Sequence, residues 1–266
     1  LIREIARVTA EEANALGYTN IYAPLLDIAQ DPRWGRVVEC YGEDPYLVGE
    51  LGKQMILGLQ EHGLVSTPKH FAVYSVPVGG RDGQTRTDPH VAPREMRTLY
   101  LEPFRKAVCE ARVKGIMSSY NDYDGIPITG SYHFLTEILR HEWGFRGYVV
   151  SDSEAVEFMY SKHKVAADAV EGAAMVINAG LNVRTNFTAP ENFILPLREA
   201  IRRGWVSEQT LNSRVRDVLR VKFELGLFDN PYKGNPKTVT KIVHSQEHQE
   251  VSLRAALESI VLLKNQ

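Results

Sequence analysis

The sequence predicts an α/β protein built on a parallel sheet, a (β/α)8 barrel-like domain truncated at its N-terminus and followed by the start of a second domain. Three observations carry this expectation. Strand, loop and helix patterns recur in that order five times, at spacings of roughly 30 to 50 residues, the alternation that produces parallel sheets. Tyr148-Val149-Val150 is a β-branched run with no polar interruption, which suits a strand covered on both faces. The 266 residues are 44% hydrophobic, enough for one large core. A closed eight-stranded barrel needs about 250 residues, yet only five strands are read with assurance, so either the first strands lie upstream of Leu1 or the sheet is open, and the truncated barrel is the favoured expectation.

Taken in order, Ile2, Ile5, Ala6, Thr9, Ala13 and Leu16 recur at helical spacing and Gly17 ends the pattern. Asn20 to Leu26 reads as a strand, and Asp27 to Tyr41 as a long functional loop. Asp44-Pro45 starts a helix with Leu47, Leu51, Met55 and Leu59 on its expected buried face. Leu64 to Phe71 is a strand ending in Lys69 and His70. Val76 to His90, with Gly79-Gly80 and Asp82-Gly83, is an expected exposed loop. Pro93 opens a helix to about Arg112. Lys114 to Tyr120 is the next strand, closed by Asn121 to Gly125. A helix over 132–141 leads to the strand ending at Asp152. A helix near 165–173 leads to a strand at Ala174–Ala179. Helices at 191–203 and Ser207–Leu225 follow, the second with Leu211, Val215, Val218, Leu219 and Leu225 as its apolar face. The expected limits are therefore a barrel-like catalytic domain over 1–228, a linker over 229–244, and the beginning of a second domain over 245–266, with Ile260 to Leu263 strand-like.

The charge balance of 31 basic against 33 acidic residues provides no field for nucleic acid or an anionic membrane. A neutral partner is expected. Cys40 and Cys109 make no disulfide framework and lack zinc-type spacing, and the histidines show no metal-ligand pattern. No metal or other cofactor is implied. No apolar run approaches the roughly 20 residues of a spanning helix. The chain opens inside a helix without an initiator methionine, as expected of part of a longer protein.

The chemistry is expected at the strand ends. Asp152 ends the Tyr148–Ser151 strand, where the loops of a βα fold converge on ligands. Capping of a helix near Glu154 is the plainer reading of the same residue. Arg36, Lys69, His70 and Tyr120 fall at other strand ends, and several donors around one carboxylate suit a neutral, hydroxyl-rich molecule. Nearby positive charge favours the carboxylate form and keeps it available as a nucleophile. On these residues alone, a sugar hydrolase and a Schiff-base lyase or aldolase using Lys69 rank about equally, and a non-catalytic carbohydrate-binding barrel is a third reading. Trp34 reads as a wall of the loop or a sugar platform, and Glu154 as a cap or a contact to a sugar hydroxyl. Trp143 and Trp205 read as packing residues.

The segments DPRWGR (Asp31 to Arg36), YGEDP (Tyr41 to Pro45), KHF (Lys69 to Phe71), SSYND (Ser118 to Asp122), GYVVSD (Gly147 to Asp152) and NAGLN (Asn178 to Asn182) resemble glycoside hydrolase family 3 in order and spacing. The resemblance implies a (β/α)8 barrel followed by an α/β sandwich, with 245–266 entering the sandwich. It implies a retaining exo-acting β-glycosidase with Asp152 as nucleophile and Arg36, Lys69, His70 and Tyr120 holding the terminal sugar. The family's acid/base glutamate lies in the second domain, outside this chain, and a further sugar-binding aspartate lies upstream of Leu1. Many glucoside-cleaving members carry tryptophan after the nucleophile. Ser153-Glu154 here is similar to members from gut and rumen bacteria that act on xylosides, so β-xylosyl and β-glucosyl substrates both stay open. The N-acetylglucosaminide subgroup carries a histidine after Lys-His-Phe, where this chain has Ala72-Val73-Tyr74. The resemblance further implies an oligosaccharide or β-glycoside as partner and a periplasmic or secreted location. Oligomeric state stays open, a dimer included.

Overall fold

Short parallel strands in chain order form the frame of the molecule. The computed structural model describes residues 1–75, 88–232 and 234–265. Strand β1 (Asn20–Ile21) pairs in parallel with β2 (Val65–Ser66). Strand β3 (Gly115–Ser118) leads into a hairpin, β4 (Asp122–Tyr123) and β5 (Ile126–Pro127), and pairs in parallel with β6 (Tyr148–Ser151). Single parallel bridges join Leu25 to Lys69, Phe71 to Ser118 and Val150 to Val183. Each stretch thus lies beside the next one in sequence, from 20–25 to 183. Among the described residues these pairings form an arc with no closing pair.

Proline explains why the first strands are so short. Pro24 and Pro68 have no N–H to give to a ladder, but their carbonyls still accept, from Lys69 N–H (3.0 Å) and Met117 N–H (3.1 Å). The alignment therefore persists through both interruptions. In β3 and β6, by contrast, Ile116 faces Val149 and Met117 faces Val150, all buried. That pair is the two-sided burial the apolar run predicts.

Several helices match their sequence signals. Ile2–Ala15 is followed by Gly17 at φ +91°, and Pro45–Glu61 is capped by Asp44, which accepts from Leu47 N–H at 2.7 Å. The buried face of Pro45–Glu61 is only partly the expected one: Leu59 is buried and Met55 packs against the same cluster, but Leu47 is exposed, and Val48, Gly49, Gly52, Ile56 and Gly58 also pack inward. A Cβ at Gly58 would stand 2.5 Å from Ala6 Cβ, so glycine lets the first helix approach. The expected helix over 93–112 is one rod in three parts, Pro93–Glu95, a wide turn over Met96–Tyr100, and Glu102–Cys109. Pro103, lacking its N–H, sits where the regular ladder resumes. His133–Glu142 is likewise wide-turned throughout.

Other expectations are corrected. Ala174–Ala179 is no strand but the second half of the helix Ala169–Ala179, which begins where Asp168 accepts from Val170 N–H and Glu171 N–H. That helix is covered on most sides, so its apolar run lacks the polar period that separates helix from strand. The pairing expected there falls to Val183 instead. On the helix Glu208–Glu224 only Val221 is buried, and Val215 and Leu219 of the expected apolar face are exposed. Trp205 is also largely exposed, with Arg203 over its ring. The linker region contains a helix, Pro236–Ile242, and Ile260 to Leu263 is exposed and unpaired among the described residues. Most of the loop expected over Val76–His90 lies outside the described residues.

The helix Gln246–Ser259 is fastened back onto the first helix by charge. His248, 5% exposed, sets Nδ1 2.8 Å from Glu12 Oε1 and Nε2 3.0 Å from Glu11 Oε2. Arg7 pairs with Glu11 and Glu247, and Arg254 with Glu4. Burial by itself lowers the imidazole pKa, but the hydrogen bonds and charges of Glu12 and Glu11 outweigh it and the net shift is upward. A raised folded-state pKa contributes stability that is complete below the unfolded value of 6.5 and is lost as pH rises through the folded value. Replacing His248 by alanine is therefore expected to lower the melting temperature more near about pH 5.5 than near about pH 9, and an equal loss at both would contradict the charged clasp.

Candidate active site

The strand ends bring their side chains into one cluster, and backbone pairing fixes where. Asp152 follows β6 directly, its N–H donating to Ser118 O at 3.2 Å, so the carboxylate stands beside the end of β3. Tyr120 leaves β3 two residues beyond its last paired position and hydrogen-bonds the Asp152 carboxylate. Lys69 and His70 end the segment that begins at β2. Arg36 precedes the tight turn Val37–Glu39 in the loop after β1.

His70 is the hub. Its ring is buried, with Nδ1 2.8 Å from Asp27 Oδ2, which also accepts His70 N–H at 3.1 Å. Its Nε2 lies 2.9 Å from Arg36 Nη1 and 3.4 Å from Asp152 Oδ2. A guanidinium can only donate. Nε2 therefore accepts, and the ring proton sits on Nδ1, directed at Asp27. Arg36 is held in turn by both Glu39 oxygens, at 2.6 and 2.7 Å. Burial disfavours its charge, but Glu39 and Asp27 outweigh burial and the guanidinium pKa is raised. Lys69 moves the other way: burial, then Arg36, pulls its pKa below the usual value, opposed by Asp152, Glu39 and Asp27. Burial and the Asp152 charge push the Tyr120 phenol up, so Tyr120 is a neutral donor.

Aromatic rings wall the cluster. Trp34 meets Tyr74 edge-on at 5.6 Å, Tyr74 meets His70 at 5.1 Å and Tyr120 at 5.9 Å, and Tyr120 meets Phe158 at 5.5 Å. Trp34 is 2% exposed, so it is a wall and not a platform. Asp152 is not a helix cap, because the one backbone amide its side chain accepts from among the described residues is that of Ser153, and the next helix begins at Phe158. Glu154 stands apart. It is exposed, holds φ +65°, and faces a neighbouring groove. Cys40 is an ordinary half-buried thiol, pushed up to about 12 by burial.

Arg36, Lys69, His70, Tyr120 and Asp152 are thus brought together, whereas Trp34 and Glu154 are peripheral. Sequence reasoning missed Asp27, Glu39 and Tyr74. Asp27 carried a readable signal, being a carboxylate just past the first predicted strand, as Asp152 is past the fourth. Tyr74 carried none, since it reaches the cluster only through a turn with Val73 at φ +61°. The arrangement offers one reachable carboxylate, 13% exposed, beside a cation, a fixed imidazole and a phenol. Imidazole 15N shifts are expected to report the Nδ1-protonated tautomer of His70 at neutral pH. Asp27→Ala, which orphans two buried donors, is expected to cost about 1 to 3 kcal/mol in denaturant unfolding; an Nε2-protonated ring in the native protein would overturn the assignment.

Comparison with known proteins agrees in kind with this geometry. The family model for the glycosyl hydrolase family 3 N terminal domain matches residues 1–221. A β-xylosidase of Formosa agariphila is 36% identical over 100% of this chain and 38% of its own length. A β-glucosidase structure from Erythrobacter marinus superposes with a TM-score of 0.93 at 36% identity, over 100% of this chain and 35% of that one. A β-glucosidase from Listeria innocua in complex with isofagomine superposes at 0.92 with 34% identity, over 100% of this chain and 37% of that one. The chain therefore spans little more than a third of the length of these relatives. The match across most of its residues shows that the chain belongs to glycosyl hydrolase family 3 and carries that family's N-terminal domain.

Proposed function

We propose that this chain forms the nucleophile-bearing part of a retaining, exo-acting β-glycosidase that removes terminal β-D-xylosyl or β-D-glucosyl residues. The observation that carries the reading is the Asp152 carboxylate, set at the end of β6, hydrogen-bonded by Tyr120 and 3.4 Å from His70 Nε2. In the first displacement an Asp152 oxygen bonds to the anomeric carbon, the glycosidic C–O bond breaks, and the leaving oxygen takes a proton from a general acid. In the second, water attacks the same carbon, the ester bond to Asp152 breaks, and the water proton passes to that group acting as base. Arg36, Lys69 and His70 hold the hydroxyls of the terminal sugar, so that binding energy is used at the reacting carbon.

The proposal extends to architecture and setting. The arc of parallel strands is read as part of a (β/α)8 barrel over 1–228, with 229–244 as connection and 245–266 as the entry to an α/β sandwich. The substrate is an oligosaccharide or simple β-glycoside, and the location is periplasmic or secreted. One observation favours a second reading, the lowered pKa of the Lys69 amine, which a Schiff-base mechanism would use.

A 2-deoxy-2-fluoro glycoside is expected to label Asp152 in the full-length protein, and Asp152→Asn to lower kcat on nitrophenyl β-xyloside or β-glucoside by about a thousandfold or more at unchanged melting temperature. Label recovered on another residue would remove the assignment. Borohydride trapping of a carbonyl substrate on Lys69 would replace it with the second reading.

A further inference from the structure

The chain that leaves Asp152 returns to the residue that hydrogen-bonds Asp152. After the carboxylate it forms the short helix Phe158–Ser161 and then reverses, with Lys164 at φ +57° and the N–H groups of Val165 and Ala166 both donating to Met159 O, at 3.0 and 3.1 Å. His163 sits in that reversal. Its own N–H donates to Phe158 O at 2.8 Å, and its ring, in a residue 3% exposed, places Nε2 2.8 Å from Tyr120 O. A carbonyl oxygen can only accept. The Nε2 atom therefore carries a proton and donates it to Tyr120. Earlier in the same turn, the Phe158 ring lies 5.5 Å from the Tyr120 ring, tilted by 36°. One turn thus meets Tyr120 twice, at its backbone and at its ring.

The residues on either side of Tyr120 are held by other segments. Ser119 N–H donates to Phe71 O at 2.8 Å, Asn121 Nδ2 donates to Ala72 O at 3.2 Å, and Asn121 O accepts from Ile128 N–H at 3.0 Å. Tyr120 lies between them outside any strand, and its carbonyl takes its hydrogen bond from His163. Breaking that bond would strand a buried donor, which costs free energy. The bond therefore resists rotation of the peptide after Tyr120, and with it any displacement of the phenol that hydrogen-bonds the Asp152 carboxylate. We propose that His163 is a positioning residue of the candidate active site, which through Tyr120 holds the Asp152 carboxylate in line for attack on the anomeric carbon. This role rests on the glycosidase reading above. Buried as it is, His163 offers no surface to a sugar, so its effect falls on kcat and not on KM.

The test uses the full-length protein. Selective 15N labelling of histidine, with the His163 signal assigned by its absence from His163→Gln, is expected to show Nε2 protonated at neutral pH, and a bare Nε2 would overturn the assignment whatever the variants do. Two polar replacements differ in reach: the amide nitrogen of glutamine can take the place of Nε2, and that of asparagine stops near Nδ1. On nitrophenyl β-xyloside or β-glucoside, His163→Asn is expected to lower kcat about tenfold with KM changed by less than about twofold, and His163→Gln to keep kcat within about threefold. Adding His163→Asn to Tyr120→Phe, which removes the phenol's hydrogen bond, is expected to cost nothing further, because the two changes act through one contact. An unchanged kcat in His163→Asn, equal losses in the asparagine and glutamine variants, a change confined to KM, or an undiminished further fall on the Tyr120→Phe background would each overturn the positioning role. Failure of the glycosidase reading shows differently, as absent hydrolysis and absent labelling of Asp152 in a protein whose His163 is still protonated at Nε2.

Discussion

The pairing of β3 with β6 is the constraint on which the site depends. Four residues are locked in register, from Gly115 opposite Tyr148 to Ser118 opposite Ser151, and the next amide, that of Asp152, still donates to Ser118 O. One peptide further along, both chains leave the sheet, and Tyr120 and Asp152 diverge only far enough for phenol and carboxylate to meet. A slip of one residue would turn every side chain of β6 over. Gly147 guards this register from below, because a Cβ there would run into the Lys114 carbonyl. The position of the Asp152 carboxylate is thus a property of backbone hydrogen bonds.

A second layer of order is electrostatic. Buried charges are tolerable only when paired and hydrogen-bonded, and here they are chained: Asp27 to His70, His70 to Arg36, Arg36 to Glu39. Each member limits the next. Asp27 fixes the ring proton, which leaves Nε2 as an acceptor, which in turn orients one arm of the guanidinium. An imidazole proton is thereby kept away from Asp152, whose oxygen would otherwise share its negative charge with it. Lys69, outside the chain of pairs, feels Arg36 as a like charge and Asp152 as its counter-charge.

How much of this the sequence reveals follows from which interactions are local. Asp152 is legible because a Val-Val pair buried on both faces must end somewhere and an acid marks the place. Asp44, Asp168 and Ser207 are helix caps, and the first helix ends where Gly17 says it should. Ala174–Ala179 is not legible, because a helix covered on most sides shows nearly the same apolar run as a strand, with Asn178 its one polar interruption. The inner face of Pro45–Glu61 is hidden too, since its closest contacts are made by glycines that a count of apolar side chains ignores. Asp124-Gly125, both at positive φ, is a hairpin turn that was read only as the end of a strand. The α/β class and the five side chains that come together could be anticipated, while the Asp27 and Glu39 partners and the Tyr74 wall depend on chain segments meeting in space.

The same pairing bears on where the general acid must come from. A retaining glycosidase needs a second carboxyl group near the nucleophile, free to give and take a proton. Among the described residues, Asp27 and Glu39 are the carboxylates bonded into the His70–Arg36 pair, and both are committed. Asp27 accepts two donors from His70. Glu39 is gripped by both arms of Arg36, and that grip holds its pKa below the ordinary carboxylate value. A carboxyl so stabilised as an anion is a poor proton donor to a leaving oxygen. Glu157 is likewise tied to Arg184, and Glu154 points into the neighbouring groove. On the proposed glycosidase reading, Asp152 would be the nucleophile and the acids beside it are already held by Arg36 and His70, so the proton would arrive on a group contributed from outside the described residues.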